Sequence, residues 1–70
     1  MLEKFSLKAL RVNAGMTVKE AAKELEIHEQ TLISWEKGKT YPTVADIPKI
    51  EKLYGVTYDH IEFFLQNNYD

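Results

Sequence analysis

The sequence predicts an all-α protein, a compact bundle of five short helices in one domain over residues 1–70. Apolar residues recur at spacings of three and four along most of the chain, which is typical of helices that bury one face. Residues that can cap a helix with a hydroxyl group precede several of these segments, and each of the three glycines follows one. We expect the core to span about residues 6–65 and residues 66–70 to form a frayed tail.

Helix 1 is predicted over residues 7–14. The Ser6 hydroxyl can accept a hydrogen bond from an amide of the first turn, and Gly15 can adopt the left-handed conformation that ends many helices. Arg11 lies on the face that turns to the core, so its guanidinium group needs a partner. The apolar residues of that face are Leu7, Leu10 and Ala14.

Helix 2 begins after Thr17 with a capping box. The Thr17 hydroxyl can accept a hydrogen bond from the first turn, and Glu20 can accept one from the amide of Thr17. Small residues on the apolar stripe let a neighbouring helix approach closely, and Ile27 can fill the corner that follows. The stripe comprises Val18, Ala21, Ala22 and Leu25. Helices 2 and 3 should therefore form an angled pair.

Helix 3 turns a different stripe to the core, centred on Leu32 and Trp35. We expect the Trp35 indole to anchor the helix pair rather than to stack on bases. The opposite face mixes donors, acceptors and a methyl-bearing side chain, which suits reading base edges in the major groove of DNA. This outer face consists of Gln30, Ile33, Ser34 and Lys37, with Glu29 at its edge.

The loop after helix 3 collects residue types that contact phosphate groups. Gly38 ends the helix, and the loop then places ammonium, hydroxyl and phenol groups close together. The alternative is a solvated helix end, at which lysine complements the helix dipole. The residues concerned are Lys37, Lys39, Thr40 and Tyr41.

Helix 4 is expected to open at Pro42 and Thr43 and to end at Gly55. Pro48 has no backbone amide to donate to the carbonyl of Val44, as a regular helix would require. We therefore expect either a kink or a regular helix that starts near Ile47 after an extra turn. The predicted core stripe is Val44, Ile47, Ile50 and Leu53.

Helix 5 is predicted over residues 58–65. Thr57 can cap it, and Asp59 is favourable in its first turn. Ile61 and either Phe64 or Leu65 should face the core.

Several short sequences, taken together, resemble the helix-turn-helix DNA-binding domain of Cro and the lambdoid phage repressors, the XRE family. They are the LR that ends in Arg11, the GMT before helix 2, Ala22, Ile27, Leu32, the WEKGK run from Trp35 and the YPT after it. The resemblance covers about residues 6–64 and implies a lambda-repressor-like fold in which helices 2 and 3 form the helix-turn-helix. It also implies that Arg11 pairs with Glu36 at the end of helix 3.

The resemblance assigns roles to individual residues. Ile33 has an equal alternative as a lone exposed hydrophobic residue or a contact with another protein. The implied roles are base reading by Glu29, Gln30, Ile33 and Ser34, phosphate contact by Lys37, Lys39, Thr40, Tyr41, Thr17 and His28, and structural support by Arg11, Glu36 and Trp35.

Three positions depart from the family pattern. Glu26 stands where glycine is usual, and a left-handed backbone there would cost Glu about 1 kcal/mol. Val18 replaces a glutamine that often supports phosphate contact. His28 replaces a Ser or Thr cap, so we expect its ring to cap helix 3 weakly, with approach to a phosphate as the alternative.

The net charge of -2 counts against a nucleic-acid partner, because phosphate binding usually leaves a basic surface. The distribution of charge along the chain weakens this objection. Residues 1–45 carry seven Lys or Arg and six Glu, whereas residues 46–70 carry two Lys and five acidic residues. The acidity therefore lies mainly outside the helix pair, and we expect modest affinity for non-specific DNA.

The sequence predicts a sequence-specific transcriptional regulator, a repressor of phage or mobile-element type. It would bind a pseudo-palindromic operator in double-stranded DNA as a homodimer, with reading helices about 34 Å apart. The alternative is a protein-interaction module, antitoxin-like or bridging, that keeps the fold and uses its acidic surface and Ile33. The candidate dimer residues are Phe63, Phe64 and Leu65.

Other classes of function find little support in the sequence. The chain has no Cys, and its two His are far apart in sequence. His28 and His60 show no nucleophile-and-base spacing with Ser6 or Ser34. We therefore predict no catalytic residues, no metal, no cofactor and no small-molecule substrate. No signal peptide or membrane-spanning run is evident, so the expected location is the cytoplasm.

Overall fold

The computed structural model describes residues 3–63, which form four α-helices, one turn of 3-10 helix and two very short strands. In chain order these are β1 (Phe5–Ser6), α1 (Leu7–Asn13), α2 (Val18–Leu25), α3 (Glu29–Lys37), α4 (Ile47–Tyr54), the 3-10 turn Tyr58–His60 and β2 (Ile61–Glu62). The structure is mostly helical, as predicted. It is not all-α, because β1 and β2 pair as parallel strands.

The first two helices begin as the sequence predicts. The Ser6 hydroxyl accepts a hydrogen bond from the amide of Ala9 at 3.0 Å. At α2, the Thr17 hydroxyl accepts from the amide of Glu20 at 3.1 Å, and the Glu20 carboxylate accepts from the amide of Thr17 at 2.9 Å. These bonds join residues three positions apart, so local sequence is sufficient to specify them.

The end of α1 differs slightly from the prediction. The helix stops at Asn13, and Ala14 is its C-terminal cap residue. Ala14 is exposed, so its assignment to the core face was wrong. Gly15 follows with φ +73°, in the left-handed conformation expected of it.

The region before α4 contains the predicted extra turn. The amides of Asp46 and Ile47 donate to the carbonyl of Thr43 at 2.9 and 3.3 Å, and the regular helix starts at Ile47. Pro48 thus occupies the first helical turn, where no amide is needed. Val44 lies in the turn and is 89% exposed, so its predicted place on the core stripe was wrong.

The predicted fifth helix is wrong over the residues that the structure describes. The amide of Tyr58 donates to the Glu51 carboxylate at 2.8 Å, and Thr57 makes no capping hydrogen bond with its side chain. One 3-10 turn is followed by β2, in which Ile61 aligns with Phe5 of β1. Predicted helix residues Phe64 and Leu65 lie outside the described residues. Ile61 is buried, and its β-branched side chain is favoured in strands. Pairing with β1, 56 positions earlier in the chain, gives the backbone of this segment hydrogen-bond partners.

The core lies where α1, α2, α3, α4 and β2 meet. α2 packs against both α3 and α4, and α1 packs against α3. The predicted anchors Leu32 and Trp35 are buried, as is Ile61. The buried cluster consists of Leu7, Leu10, Ala21, Ala22, Leu25, Leu32, Trp35, Ile50 and Ile61. No helix within residues 3–63 is long and apolar enough to cross a membrane.

Candidate nucleic-acid interface

The corner between α2 and α3 holds the two helices at an angle. Glu26 ends α2 with φ 62° and ψ 42°, a left-handed conformation that glycine adopts readily and other residues adopt at a cost. The amide of Ile27 then donates to the carbonyl of Ala22 at 3.0 Å, and Ile27 packs against the core. The corner therefore keeps its shape although Glu26 is strained there.

His28 precedes α3 without capping it. Its side chain makes no capping hydrogen bond, so the predicted weak structural cap is wrong. The imidazole ring is bulkier than a Ser or Thr hydroxyl and is exposed. Only the carbonyl of His28 takes part, accepting from the amide of Leu32 at 3.2 Å. The alternative role of His28, approach to a phosphate, stays a prediction.

An ion pair braces the C-terminal end of α3 against α1, as the resemblance implies. Arg11 Nε donates to Glu36 Oε2 at 2.8 Å, and Arg11 Nη2 donates to Glu36 Oε1 at 3.2 Å. Arg11 Nη1 also donates to the carbonyl of Met16 at 2.9 Å. The side chains are 11% and 8% exposed, so both charges are largely removed from water. The two-point contact fixes the rotation of α3 about its axis as well as its distance from α1.

The pKa values of Arg11 and of the neighbouring Tyr54 are both raised at this ion pair. The hydrogen bond to Glu36, together with its negative charge, raises the pKa of Arg11, although burial of the guanidinium acts in the opposite direction. Burial, and then the charge of Glu36, raise the pKa of Tyr54 to about 12. The Tyr54 hydroxyl is buried and has no hydrogen-bond partner in the described part of the chain. Tyr54 therefore stays protonated beside the pair at neutral pH.

The outer face of α3 is exposed at its two ends and half-buried between them. Glu29, Gln30 and Lys37 are exposed, while Ile33 and Ser34 are half-buried at its margin. Trp35 and Leu32 occupy the opposite side of the same helix and are buried. The polar face and the buried face are thus separated as predicted, and none of the four predicted base-reading residues lies in the core.

The loop after α3 folds back onto the helix. The carbonyl of Ser34 accepts hydrogen bonds from the amides of Lys39 at 2.9 Å and Thr40 at 3.4 Å, and Gly38 makes the turn with φ +79°. Lys39, Thr40 and Tyr41 are exposed next to the outer face of α3. Residue types that contact phosphate groups thus lie beside residue types that read bases. A helix in the major groove needs both, because base contacts give specificity and phosphate contacts fix its position.

A cleft of about 450 Å³ separates α3 from this loop. It brings together two predicted base-reading residues, Gln30 and Ser34, and two predicted phosphate-contacting residues, Thr40 and Tyr41. The other predicted DNA-contacting residues do not line it; they are Glu29, Ile33, Lys37, Lys39, Thr17 and His28.

Three residues of the cleft were not among the predicted site residues: Thr31, Thr43 and Asp46. The Asp46 carboxylate accepts hydrogen bonds from the amide and the hydroxyl of Thr43, each at 2.9 Å, and so closes the turn before α4. Thr31 could have been found from its three-residue spacing to Ser34. Thr43 and Asp46 could not, because they reach the cleft only through the fold of the loop.

The predicted dimer residues are only partly described. Phe63 packs against the core, and its ring lies 5.8 Å from that of Tyr58. Phe64 and Leu65 lie outside the described residues. Among residues 3–63 no group of three or more His, Asp or Glu side chains is arranged to hold a metal ion.

Comparison with known proteins gives a consistent result. The helix-turn-helix family model matches residues 7–61. The chain is 38% identical over 58 residues to a protein of Methanocaldococcus jannaschii named as an uncharacterized HTH-type transcriptional regulator, a match that covers 83% of this chain and 88% of that protein. No solved structure gives a significant match. Both matches support a DNA-binding regulator, and the chain belongs to the XRE-type helix-turn-helix family.

Proposed function

We propose that this chain is a sequence-specific transcriptional regulator that inserts α3 into the major groove of DNA. The proposal rests mainly on one observation, the exposed polar face of a helix whose opposite face is fixed by Trp35 and by the Arg11 ion pair. A rigid helix that presents a fixed set of donors and acceptors can distinguish base pairs, because each base pair offers its own pattern in the major groove.

Base reading falls to the outer face of α3. Gln30 can bond bidentately to adenine, Glu29 can accept a hydrogen bond from the amino group of cytosine, and Ile33 can contact the methyl group of thymine. Ser34 can donate to or accept from either base of a pair. Lys37 and Lys39, with Thr40 and Tyr41 beside them, would hold the sugar-phosphate backbone and fix the position of α3.

The regulator would act as a repressor of phage or mobile-element type. Two copies would bind the halves of a pseudo-palindrome, with their reading helices about 34 Å apart. Affinity for non-specific DNA should be modest, since the net charge is -2 and Glu29 accompanies the reading helix.

Selection of binding sites from random duplexes, followed by mobility shift on the selected site, tests this proposal. Gln30→Ala should lose about 1 to 3 kcal/mol on the preferred base pair and relax specificity there. Lys39→Ala should weaken binding to all sequences alike and lower the slope of log affinity against log salt by about 1. Lys52→Ala is the matched control, because Lys52 is an exposed lysine of α4 that borders a different surface groove.

Two results would contradict the assigned roles. Equal losses for Gln30→Ala and Lys39→Ala on every sequence would show that Gln30 does not read bases and only adds general affinity for DNA. A loss for Lys52→Ala equal to that for Lys39→Ala would show that the lysine effect is only one of net charge.

The second candidate is a protein-interaction module, antitoxin-like or bridging, which the acidity of residues 46–70 favours. Salt dependence separates the two candidates. Phosphate binding releases counterions, so log affinity for DNA falls steeply with log salt, whereas binding to a protein need not show this slope. A chain that selects no duplex and binds a protein with little salt dependence would favour the module.

A further inference from the structure

The cleft between α3 and the loop after it is lined by a single charged side chain among the described residues, that of Asp46. The other residues that line the cleft are neutral, and two of them, Gln30 and Ser34, belong to the proposed base-reading face. Asp46 belongs to the turn before α4, so it reaches the cleft from a different segment of the chain. A ligand that enters the cleft beside Gln30 and Ser34 therefore also meets a carboxylate.

Hydrogen bonds hold Asp46 in one position. Its Oδ2 atom accepts from the amide and from the hydroxyl of Thr43, each at 2.9 Å. Its own amide donates to the carbonyl of Thr43 at 2.9 Å, and its carbonyl accepts from the amide of Ile50 at 3.1 Å. The backbone of Asp46 and one carboxylate oxygen are thus fixed before any ligand binds, which lowers the entropy cost of a contact through the other oxygen.

The second carboxylate oxygen of Asp46, Oδ1, has unused acceptor capacity. Within residues 3–63 it accepts no hydrogen bond, and neither of the two ion pairs found there involves Asp46. The side chain makes no capping hydrogen bond to α4, although Asp46 stands at the cap position. An ionised carboxylate offers about four acceptor sites. Asp46 can therefore close the turn and bind a ligand in the cleft at the same time.

We propose that Asp46 is a further specificity-determining residue, which accepts a hydrogen bond through Oδ1 from the N4 amino group of a cytosine. This inference rests on the proposed function, because it requires α3 to lie in the major groove. A carboxylate can only accept hydrogen bonds, so it selects a base edge that donates one. Cytosine fits better than adenine, because the amino group of adenine lies beside N7, an acceptor that repels a carboxylate.

The charge of Asp46 favours a base edge over a phosphate group as the occupant of the cleft. A phosphate there would face a second negative charge and be repelled. The amino group of cytosine is a neutral donor, and its hydrogen bond to an ionised acceptor is stronger than one between neutral groups. Lys37 and Lys39 do not line the cleft, and Thr40 and Tyr41 are exposed, so phosphate contact by these four residues does not require a phosphate inside it.

The substitution Asp46→Asn separates base reading from the closure of the turn. The amide oxygen of asparagine can accept both hydrogen bonds from Thr43, so the turn stays closed. The amide nitrogen then takes the place of Oδ1 and donates where the carboxylate accepted. A donor in that place selects guanine, whose O6 and N7 atoms are acceptors. If Asp46 only closed the turn, the substitution would not change which base is preferred.

Selection of sites from random duplexes by the full chain, followed by mobility shift, tests the inference. The unmodified chain should prefer cytosine over guanine by about 5-fold or more at one position of the selected site. Asp46→Asn should prefer guanine over cytosine there by a similar factor, and Asp46→Ala should show neither preference. Both variants should leave the base pair that Gln30 reads unchanged.

Two control variants show whether the effect belongs to the cleft. Asp59→Asn removes the same charge from an exposed residue of the 3-10 turn that does not line the cleft, so it should leave every base preference unchanged. Glu29→Gln changes a carboxylate of the reading helix that also lies outside the cleft. It should alter the preference at a different base pair from the one that Asp46 reads.

Two measurements guard against misfolding of the variant. Trp35 is the only tryptophan of the chain and lines the cleft, so its fluorescence spectrum should be the same in the unmodified chain and in Asp46→Asn. A duplex in which the selected cytosine is replaced by pyrimidin-2-one, which lacks the amino group, tests the same contact without any substitution in the protein. The unmodified chain should bind this duplex about 5-fold more weakly.

Two results would overturn the inference and leave the proposed function standing. A gain in affinity that is equal for all sequences in Asp46→Asn, and larger than in Asp59→Asn, would assign the cleft to a phosphate. The same base preference in the unmodified chain and in both Asp46 variants would leave Asp46 with the turn alone. In either case Gln30→Ala would still relax specificity at its own base pair. An unmodified chain that selects no duplex would refute the proposed function, and this inference with it.

Discussion

Substitution of Arg11 by methionine tests how far the ion pair to Glu36 holds the reading helix in place. Arg11→Met keeps the length of the side chain but removes three hydrogen bonds, two to the Glu36 carboxylate and one to the carbonyl of Met16. Glu36 is then left with 8% of its side chain exposed and no cation beside it. The loss arises mainly because its desolvation is no longer compensated.

The expected loss is about 3 kcal/mol of the free energy of unfolding. Removal of one member of a buried pair usually costs about 3 to 5 kcal/mol, and the lower value applies because about a tenth of each side chain still reaches water. A domain of this size has a total stability of about 4 to 10 kcal/mol. The variant should therefore remain mostly folded in the cold, with a melting temperature lower by about 12 to 24 °C.

Urea unfolding followed by far-UV circular dichroism at low temperature measures this loss. The matched control is Lys49→Met, which breaks the ion pair to Glu26, whose side chains are 50% and 74% exposed. That pair is worth less than about 1 kcal/mol because water screens it. The double variant Arg11→Met with Glu36→Leu should recover most of the loss, since no buried charge remains.

Equal losses for Arg11→Met and Lys49→Met would refute the reasoning, because burial would then make no difference to the two pairs. A double variant as unstable as Arg11→Met would also refute it. In that case the loss would come from the packing of the arginine stem and not from an unpaired carboxylate.

Two further predictions concern the backbone at the α2–α3 corner and the tyrosine beside the ion pair. Glu26→Gly should raise stability in urea by about 0.5 to 1 kcal/mol because it relieves the left-handed strain, whereas Glu26→Gln should not; an equal gain for Gln would assign the effect to charge. The folded pKa of Tyr54, about 12, exceeds its ordinary value of 10.0, so its contribution to stability is present below pH 10 and is lost as pH rises towards 12. Tyr54→Phe should be at least as stable as the native chain at pH 7, because it removes a buried hydroxyl group that has no hydrogen-bond partner among the described residues. It should lose less stability than the native chain between pH 8 and 11.5; parallel pH profiles would contradict this.

Most of the helical structure could be predicted because its signals are local. The Ser6 cap, the Thr17 capping box and the left-handed Gly15 each involve residues at most a few positions apart. The delayed start of α4 follows from the missing amide of Pro48 in the same way. Such features depend on bonds within one turn, so they are decided before distant parts of the chain meet.

The part of the candidate site that lies on α3 could be predicted from the sequence, but the residues that pack beside α3 could not. Helical spacing alone places Gln30 opposite Trp35, and the structure has one exposed and the other buried. The positions of Thr43 and Asp46 beside α3 were not predictable. They depend on the loop that folds back onto α3, which is held by hydrogen bonds to the carbonyl of Ser34. Val44 was misplaced for a related reason: spacing assigns a residue to a helix face only if the helix includes it.

The sequence by itself determined helices α1 to α3, the side-chain caps of α1 and α2 and the polar face of α3, because each depends on contacts between near neighbours in the chain. Only the tertiary structure decided the secondary structure of residues 58–63. There a helix was possible on local grounds, but burial of Ile61 and pairing with Phe5 gave a strand instead. The same long-range packing places Tyr58 beside Tyr41 and Val44, and so creates an apolar groove that no spacing along the chain could reveal.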